Sequence, residues 1–213
     1  MSVRGIEMRK ITCIVAFILM NLAGTAVYIS AQAKASPDVK KIDAYVKTVD
    51  AIRKKLKKPS MIFANTADIE SDTEKWQSFA SEKALEKFRD KDEVYTIAYN
   101  WLSGGRIVGS NFTLSSPSGD WVKYNFHYFR ADGTLALVES DYRTFNGDIM
   151  VVRRRYFDAA GKQIHRTAKF LDLKSQKPKK QTSGVMGDDP DEVDYYLTTA
   201  KLPFARQFKI TTY

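Results

Sequence analysis

Apolar residues recur at steps of three and four through Val39, Ile42, Val46, Val49, Ile52 and Leu56, with charged residues between them. That spacing lays one apolar stripe along a helix and predicts an amphipathic helix over 38–57. Ser36 supplies a cap, Pro37 suits the first turn, and Asp38 sits at the positive end of the helix dipole. Lys54, Lys55, Lys57 and Lys58 sit at the negative end, and Pro59 stops the run. A second helical stretch is expected from about Thr73 to Phe88, capped by Ser71 or Asp72, with Trp76, Phe79, Ala80 and Leu85 available for packing. Ser81-Glu82 offers a restart within it.

From Glu93 to about Leu173 the pattern changes to strands and tight turns. Trp101-x-x-x-Gly105, Phe129-x-x-x-Gly133 and Phe157-x-x-x-Gly161 follow one another at intervals of 28 residues. Ser118-Gly119-Asp120 and Asn146-Gly147-Asp148 are separated by the same interval. A strand end followed by a glycine four residues on fits a turn with one left-handed position. The expectation is three hairpins, giving an antiparallel meander of about six strands built from 28-residue hairpin repeats. If Gly133 closes its turn, Phe129 opposes Leu135. Continuing that register sets Lys123 against Asp141, Asn125 against Glu139, His127 against Leu137 and Trp121 against Arg143. The apolar pairs Val122–Tyr142, Phe126–Val138 and Tyr128–Ala136 then form one core face, and the other face is mixed. The same register in the third hairpin sets Arg155 against His165, Arg153 against Thr167 and Arg154 against Arg166. The last pair of like charges calls for an offsetting carboxylate or anion.

The chain start carries Arg4, Arg9 and Lys10, then an apolar run from Ile11 to Ile29, then Ala31-Gln32-Ala33. These are the parts of a secretory signal, with cleavage expected near Ala33 and retention as an anchor helix the alternative. Removing residues 1–33 takes away three basic residues and one acidic residue, which lowers the net charge of +9 to +7. It also removes Cys13, the only cysteine, so the exported domain is expected to rest on its core without a disulfide. With 213 residues and 44% hydrophobic content, one good core is feasible. The domain reading is therefore a leader over 1–33 and a single domain over 34–213. That domain comprises helices about 38–90, a meander about 93–173, and a linker with a C-terminal segment over 174–213.

Candidate chemistry is sparse. The chain has two histidines, His127 and His165, so no zinc ligand set is expected, and no cofactor. No phosphate loop, dinucleotide fingerprint or nucleophile elbow occurs. The expected register gathers Glu139, Asp141, Asn125 and His127 on one face, where carboxylates and an imidazole can run acid–base chemistry. The duller reading is a solvated sheet face. Arg153, Arg154, Arg155 and Arg166, with Arg143 and Lys169 near them, are candidates to bind a phosphate, an acidic glycan or lipid headgroups. Their alternative partner is the acidic stretch 188–194, which also offers oxygen ligands to calcium but lacks a calcium loop's spacing. Nucleic acid is not expected, because the aromatics alternate as core residues. Tyr195-Tyr196-Leu197 and Leu202-Pro203-Phe204 are apolar enough to pack back on the body.

The Ser116–Trp121 segment, the Tyr128–Ala136 hairpin and Leu202-Pro203-Phe204 resemble a family of small exported bacterial proteins over roughly 75–205. That resemblance implies export and carries no activity or functional residue with it. In outline, a meander behind an N-terminal helix is similar to periplasmic lipoprotein-carrier folds, an analogy of architecture alone. The expected fold is α+β, with N-terminal amphipathic helices packed on a curved antiparallel sheet. The expected function is an exported, non-catalytic binding module, periplasmic or secreted, for a small anionic ligand or a protein partner. The membrane enters only through the signal segment. Two alternatives stand beside it: a carrier of lipid or another hydrophobic ligand, and a small hydrolase using Glu139 or Asp141 with His127.

Overall fold

The computed structural model describes residues 36–180 and 193–210. Residues 1–33, expected as a leader, and most of the acidic stretch 188–194 lie outside the described residues.

The first helix, α1 (Pro37–Leu56), forms for the reasons its sequence gives. Ser36 Oγ accepts the Val39 N–H at 3.3 Å, Pro37 opens the first turn, and Arg53, Lys54 and Lys55 close the last. Val39, Ile42, Val46 and Val49 are buried, each contributing roughly 2 kcal/mol of apolar burial as an upper figure. Polar bonds along its flanks fix its seat. Tyr156 Oη donates to Asp43 at 3.0 Å, Tyr128 Oη donates to Asp50 at 3.2 Å, and Tyr45 Oη donates to the Phe129 carbonyl.

Next come β1 (Met61–Asn65), β2 (Trp76–Phe79) and α2 (Glu82–Arg89). The expected helix over 73–88 is thus only half right. Residues 76–79 form a strand because Trp76 and Phe79 pair with Asn65 and Ile62 of β1, which overrides local helix preference. Asn65 Oδ1 pins the intervening loop by accepting from Ala67 N and Lys75 N at 3.1 and 2.8 Å. The helix begins at the Ser81 cap instead, with Ser81 Oγ accepting the Ala84 N–H at 3.1 Å.

Six long strands follow: β3 (Thr96–Ser103), β4 (Arg106–Ser115), β5 (Trp121–Phe129), β6 (Leu135–Thr144), β7 (Ile149–Phe157) and β8 (Gln163–Asp172). With β1 and β2 they make one antiparallel sheet of eight strands, not six, in the order β2-β1-β3-β4-β5-β6-β7-β8. Residues 174–180, expected as a linker, turn back along β8, where Lys179 N donates to the Phe170 carbonyl at 2.9 Å.

Gly105, Gly133 and Gly161 adopt φ of 73°, 83° and 81°, as a left-handed turn position demands. Each of the three hairpins then steps its register by one residue, at Trp101/Leu102, Tyr128/Phe129 and Tyr156/Phe157. Phe129 does oppose Leu135, but Ala136 is extra, and Tyr128 opposes Leu137. A one-residue step exchanges the faces of everything beyond it. Lys123 therefore opposes Tyr142, Asn125 opposes Ser140, His127 opposes Val138 and Trp121 opposes Thr144. In the third hairpin Arg155, not Arg154, opposes Arg166, and Tyr156 opposes His165.

Both faces of the sheet are covered, contrary to the expected half-open sheet. On one face α1 packs with Val108, Phe126, Tyr128, Ala136, Leu137 and Tyr156, while α2 covers Ile62, Ala64 and Ile97. The other face is covered by residues 193–208, comprising an extended stretch, the 3₁₀ turn Thr199–Lys201 and the start of α3 (Ala205–Ile210). Leu135 N donates to the Leu197 carbonyl and Thr199 N to the Gly133 carbonyl, each at 2.9 Å. Phe204, fully buried, stacks on Phe63 with ring centroids 4.3 Å apart. Two-sided burial explains why Asn125 to Phe129 are all buried without alternation. Among the described residues no helix is long and apolar enough to cross a membrane.

Candidate functional site

The face under the C-terminal segment is not purely apolar. Ser110 on β4 pairs with Asn100 on β3 on one side and His127 on β5 on the other, and each of the three is at most 1% exposed. Asn125 and Ser140, also 1% exposed, pair with one another on the same face. Asn100 Oδ1, Ser110 Oγ, Asn125 Oδ1 and His127 Nε2 have no hydrogen-bond partner among the described residues. A buried polar atom left unpaired costs about 1–3 kcal/mol, so several on one face call for an explanation.

A cavity of about 350 Å³ opens over two of them. His127, Asn125 and Thr96 supply its uncharged polar side chains. Trp76, Phe112, Leu114 and Tyr196 supply apolar walls, and Glu74 and Asp194 bring carboxylates. Phe112 is the hub of the aromatic wall, with the Trp76, Tyr196 and His127 rings at centroid distances of 5.9, 5.2 and 5.3 Å. Trp76 reaches the wall because β2 is a strand and not a helix. Tyr196 reaches it because the C-terminal segment returns across the sheet.

The state of His127 follows from its surroundings. Nδ1 lies 3.1 Å from the Asn125 carbonyl, which can only accept, so Nδ1 carries the proton. Burial pushes the imidazole pKa down to about 4, against the weaker opposing pull of neighbouring backbone carbonyls. At neutral pH the ring is uncharged and Nε2 is a bare acceptor. Burial, with help from the carboxylates of Glu74 and Asp194, pushes the Tyr196 phenol up to about 12, so it stays protonated. Trp76 Nε1 donates to Glu74 Oε2 at 2.9 Å, and Lys123 Nζ stands 3.9 Å from Asp194 Oδ2.

The expected acid–base constellation is taken apart by the hairpin bulge. Glu139 and Asp141 lie on the α1 face, while His127 and Asn125 lie on the opposite one. Each carboxylate already has a guanidinium. Asp141 accepts two bonds from Arg143, at 3.0 and 2.6 Å, and Glu139 accepts from Arg154 Nε. They line a groove of about 420 Å³ with Arg53, Asn111 and Tyr124. The sheet separates them from the imidazole, so no proton passes directly between them.

The four arginines are likewise divided. Arg154 is on the α1 face, held by Glu139 and, at 3.8 Å, by Asp43. Burial disfavours its charge, but the Glu139 carboxylate more than offsets this and raises its pKa above the ordinary value. Arg153, Arg155 and Arg166 point to the opposite face. Arg153 is 5% exposed with its guanidinium 5.9 Å from the Phe170 ring, Arg155 lies 5.9 Å from the Tyr195 ring, and Arg166 is exposed. Arg155 and Arg166 are cross-strand neighbours on that face, and the sheet separates them from Arg154. Of the expected acidic partner stretch, only Val193 and Asp194 fall among the described residues, and Asp194 faces Lys123. Among the described residues no three His, Cys, Asp or Glu side chains come together as a metal would require.

Sequence reasoning missed Trp76, Phe112, Asp194 and Tyr196 as neighbours of His127, because a long-range return of the chain assembles them. One signal was available. Asn125 and His127 interrupt an apolar strand, and polar residues at core positions mark a buried site. Comparison with known protein families, with curated proteins and with solved structures finds no match to this chain.

Proposed function

We propose that this protein is an exported, non-catalytic binding module of the cell envelope or extracellular space, and that it holds a small molecule in the cavity beside His127 and Asn125. One observation carries this reading: a cavity of about 350 Å³ whose buried His127 Nε2 and Asn125 Oδ1 have no hydrogen-bond partner among the described residues. Apolar walls with a few convergent polar atoms are the usual make-up of a small-molecule site, and the volume falls at the small end of the ~300–1,000 Å³ range. Removal of Glu139 and Asp141 to the other face supports binding over hydrolysis. Export rests on the basic start, the apolar run and Ala31-Gln32-Ala33. In this reading the sheet is curved and its three hairpins are 28-residue repeats, as the spacing of Gly105, Gly133 and Gly161 suggests.

A carrier of a hydrophobic ligand is the second reading, favoured by the aromatic wall around Phe112. Unpaired acceptors disfavour a pure hydrocarbon there, because burying them against an apolar ligand leaves their desolvation uncompensated.

Native mass spectrometry of the protein purified gently from its own host tests both readings. Wild type should carry an added small-molecule mass, and His127→Phe, which removes the acceptor while filling the space, should carry less of it. A polar adduct supports the first reading and a lipid the second. A bare wild-type protein contradicts both.

A further inference from the structure

The chemistry of the cavity is opposite in sign to that of the chain. The protein carries a net charge of +9, yet no Lys or Arg lines this cavity among the described residues. Its charged lining groups are two carboxylates, Glu74 and Asp194. Its walls are the aromatic rings of Trp76, Phe112, Tyr195 and Tyr196, whose faces attract cations, with Leu114 and Thr96 completing the lining. Its buried polar atoms, His127 Nε2 and Asn125 Oδ1, can only accept hydrogen bonds in the tautomer that the Asn125 carbonyl enforces.

We infer that the cavity takes a small organic cation bearing N–H groups, a protonated amine or a guanidinium, and not the anion that the basic composition suggests. The inference rests on the proposed binding site and gives its ligand a chemical class. Three demands coincide on such a ligand. Its charge answers the carboxylates, its N–H groups answer the two orphan acceptors, and its cationic head sits well against the rings. An anion meets none of these demands. A quaternary ammonium meets the first and third and leaves the acceptors unpaired. Lys123 shares Asp194 at 3.9 Å, so Glu74 provides most of the uncompensated charge. Trp76 Nε1 holds Glu74 Oε2, which orients that carboxylate beside the aromatic wall and leaves Oε1 for a ligand.

Isothermal titration of the purified full chain with agmatine, choline, 1-butanol and inorganic phosphate tests the class. Agmatine carries both an amine and a guanidinium; choline is cationic without N–H. Agmatine should bind, more tightly than choline, and its affinity should fall with added salt. Glu74→Gln, which keeps an acceptor for Trp76 and removes the charge, should weaken agmatine about tenfold. His127→Phe should weaken agmatine and narrow its advantage over choline. Glu74 is exposed, so its variant is expected to fold even if the His127 variant does not. Binding of phosphate or butanol with no response to agmatine overturns the cationic class while leaving the binding module standing. Failure of both cations also overturns it, and the site itself falls only if the native protein is bare of any adduct as well.

Discussion

A buried neutral imidazole makes stability depend on pH in a predictable direction. Unfolded, His127 binds a proton near its ordinary pKa of 6.5; folded, burial lowers this to about 4. Between those values the unfolded chain holds more protons than the folded one, so stability falls as pH falls. The contribution is fully present above about pH 6.5 and lost as pH drops through about 4. The gap between the two values is worth roughly 3 kcal/mol, of which about 2.5 kcal/mol is lost between pH 7.5 and 4.5. Carboxylates also titrate in this window, so the informative quantity is a difference. Urea unfolding of wild type and His127→Gln, followed by circular dichroism at both pH values, isolates the histidine. A glutamine side chain does not titrate, so any stability advantage of wild type should shrink by about 2.5 kcal/mol on going to pH 4.5. If that difference changes by less than about 0.5 kcal/mol, the burial argument is refuted and the ring is solvated or already charged.

Other outcomes follow from the packing. Phe204 is fully buried against Phe63, Trp76 and Phe112 and fastens the C-terminal segment, so Phe204→Ala should cost about 3–5 kcal/mol in urea unfolding. An unchanged midpoint would mean that the segment is not part of the cooperative core. A Cβ on Gly109 would lie 2.8 Å from Phe126 Cζ and 3.4 Å from Val49 Cγ1, beneath α1. Gly109→Ala should therefore destabilise by about 1–3 kcal/mol, read as a lowered Tm. Gly133→Ala meets both a left-handed φ of 83° and Thr199 Oγ1 at 2.7 Å from the new Cβ. It should loosen the contact between the turn and the C-terminal segment, seen as faster amide exchange at Thr199.

The α1 stripe was fully legible, because Val39, Ile42, Val46 and Val49 and their caps all speak at short range. The six long strands were legible for the same reason: glycines at 105, 133 and 161 punctuate them. The faces were not, since a single extra residue, Ala136, separates the register at Phe129–Leu135 from that at Tyr128–Leu137. Glycine four residues after an aromatic strand end specifies the turn but does not announce the step beside it. That one step scattered the expected site, sending Glu139 and Asp141 to the opposite side of the sheet from His127. Trp76 was hidden for a different reason. Its segment carries helical signals, and pairing with Asn65, 11 positions earlier, decides its state. The aromatic and acidic partners of His127 come from residues 74–76, 112 and 194–196. Only the completed sheet and the returning C-terminal segment bring them together.

A neutral His127 presents an unprotonated Nε2 beside the cavity. Long-range ¹H–¹⁵N correlation of the imidazole nitrogens at pH 7 reads this directly, with His127→Gln providing the assignment. The expected spectrum shows a protonated Nδ1 and a bare Nε2 for His127, with the Nε2 resonance moving when agmatine is added. A proton on Nε2, or a charged ring at that pH, would contradict it.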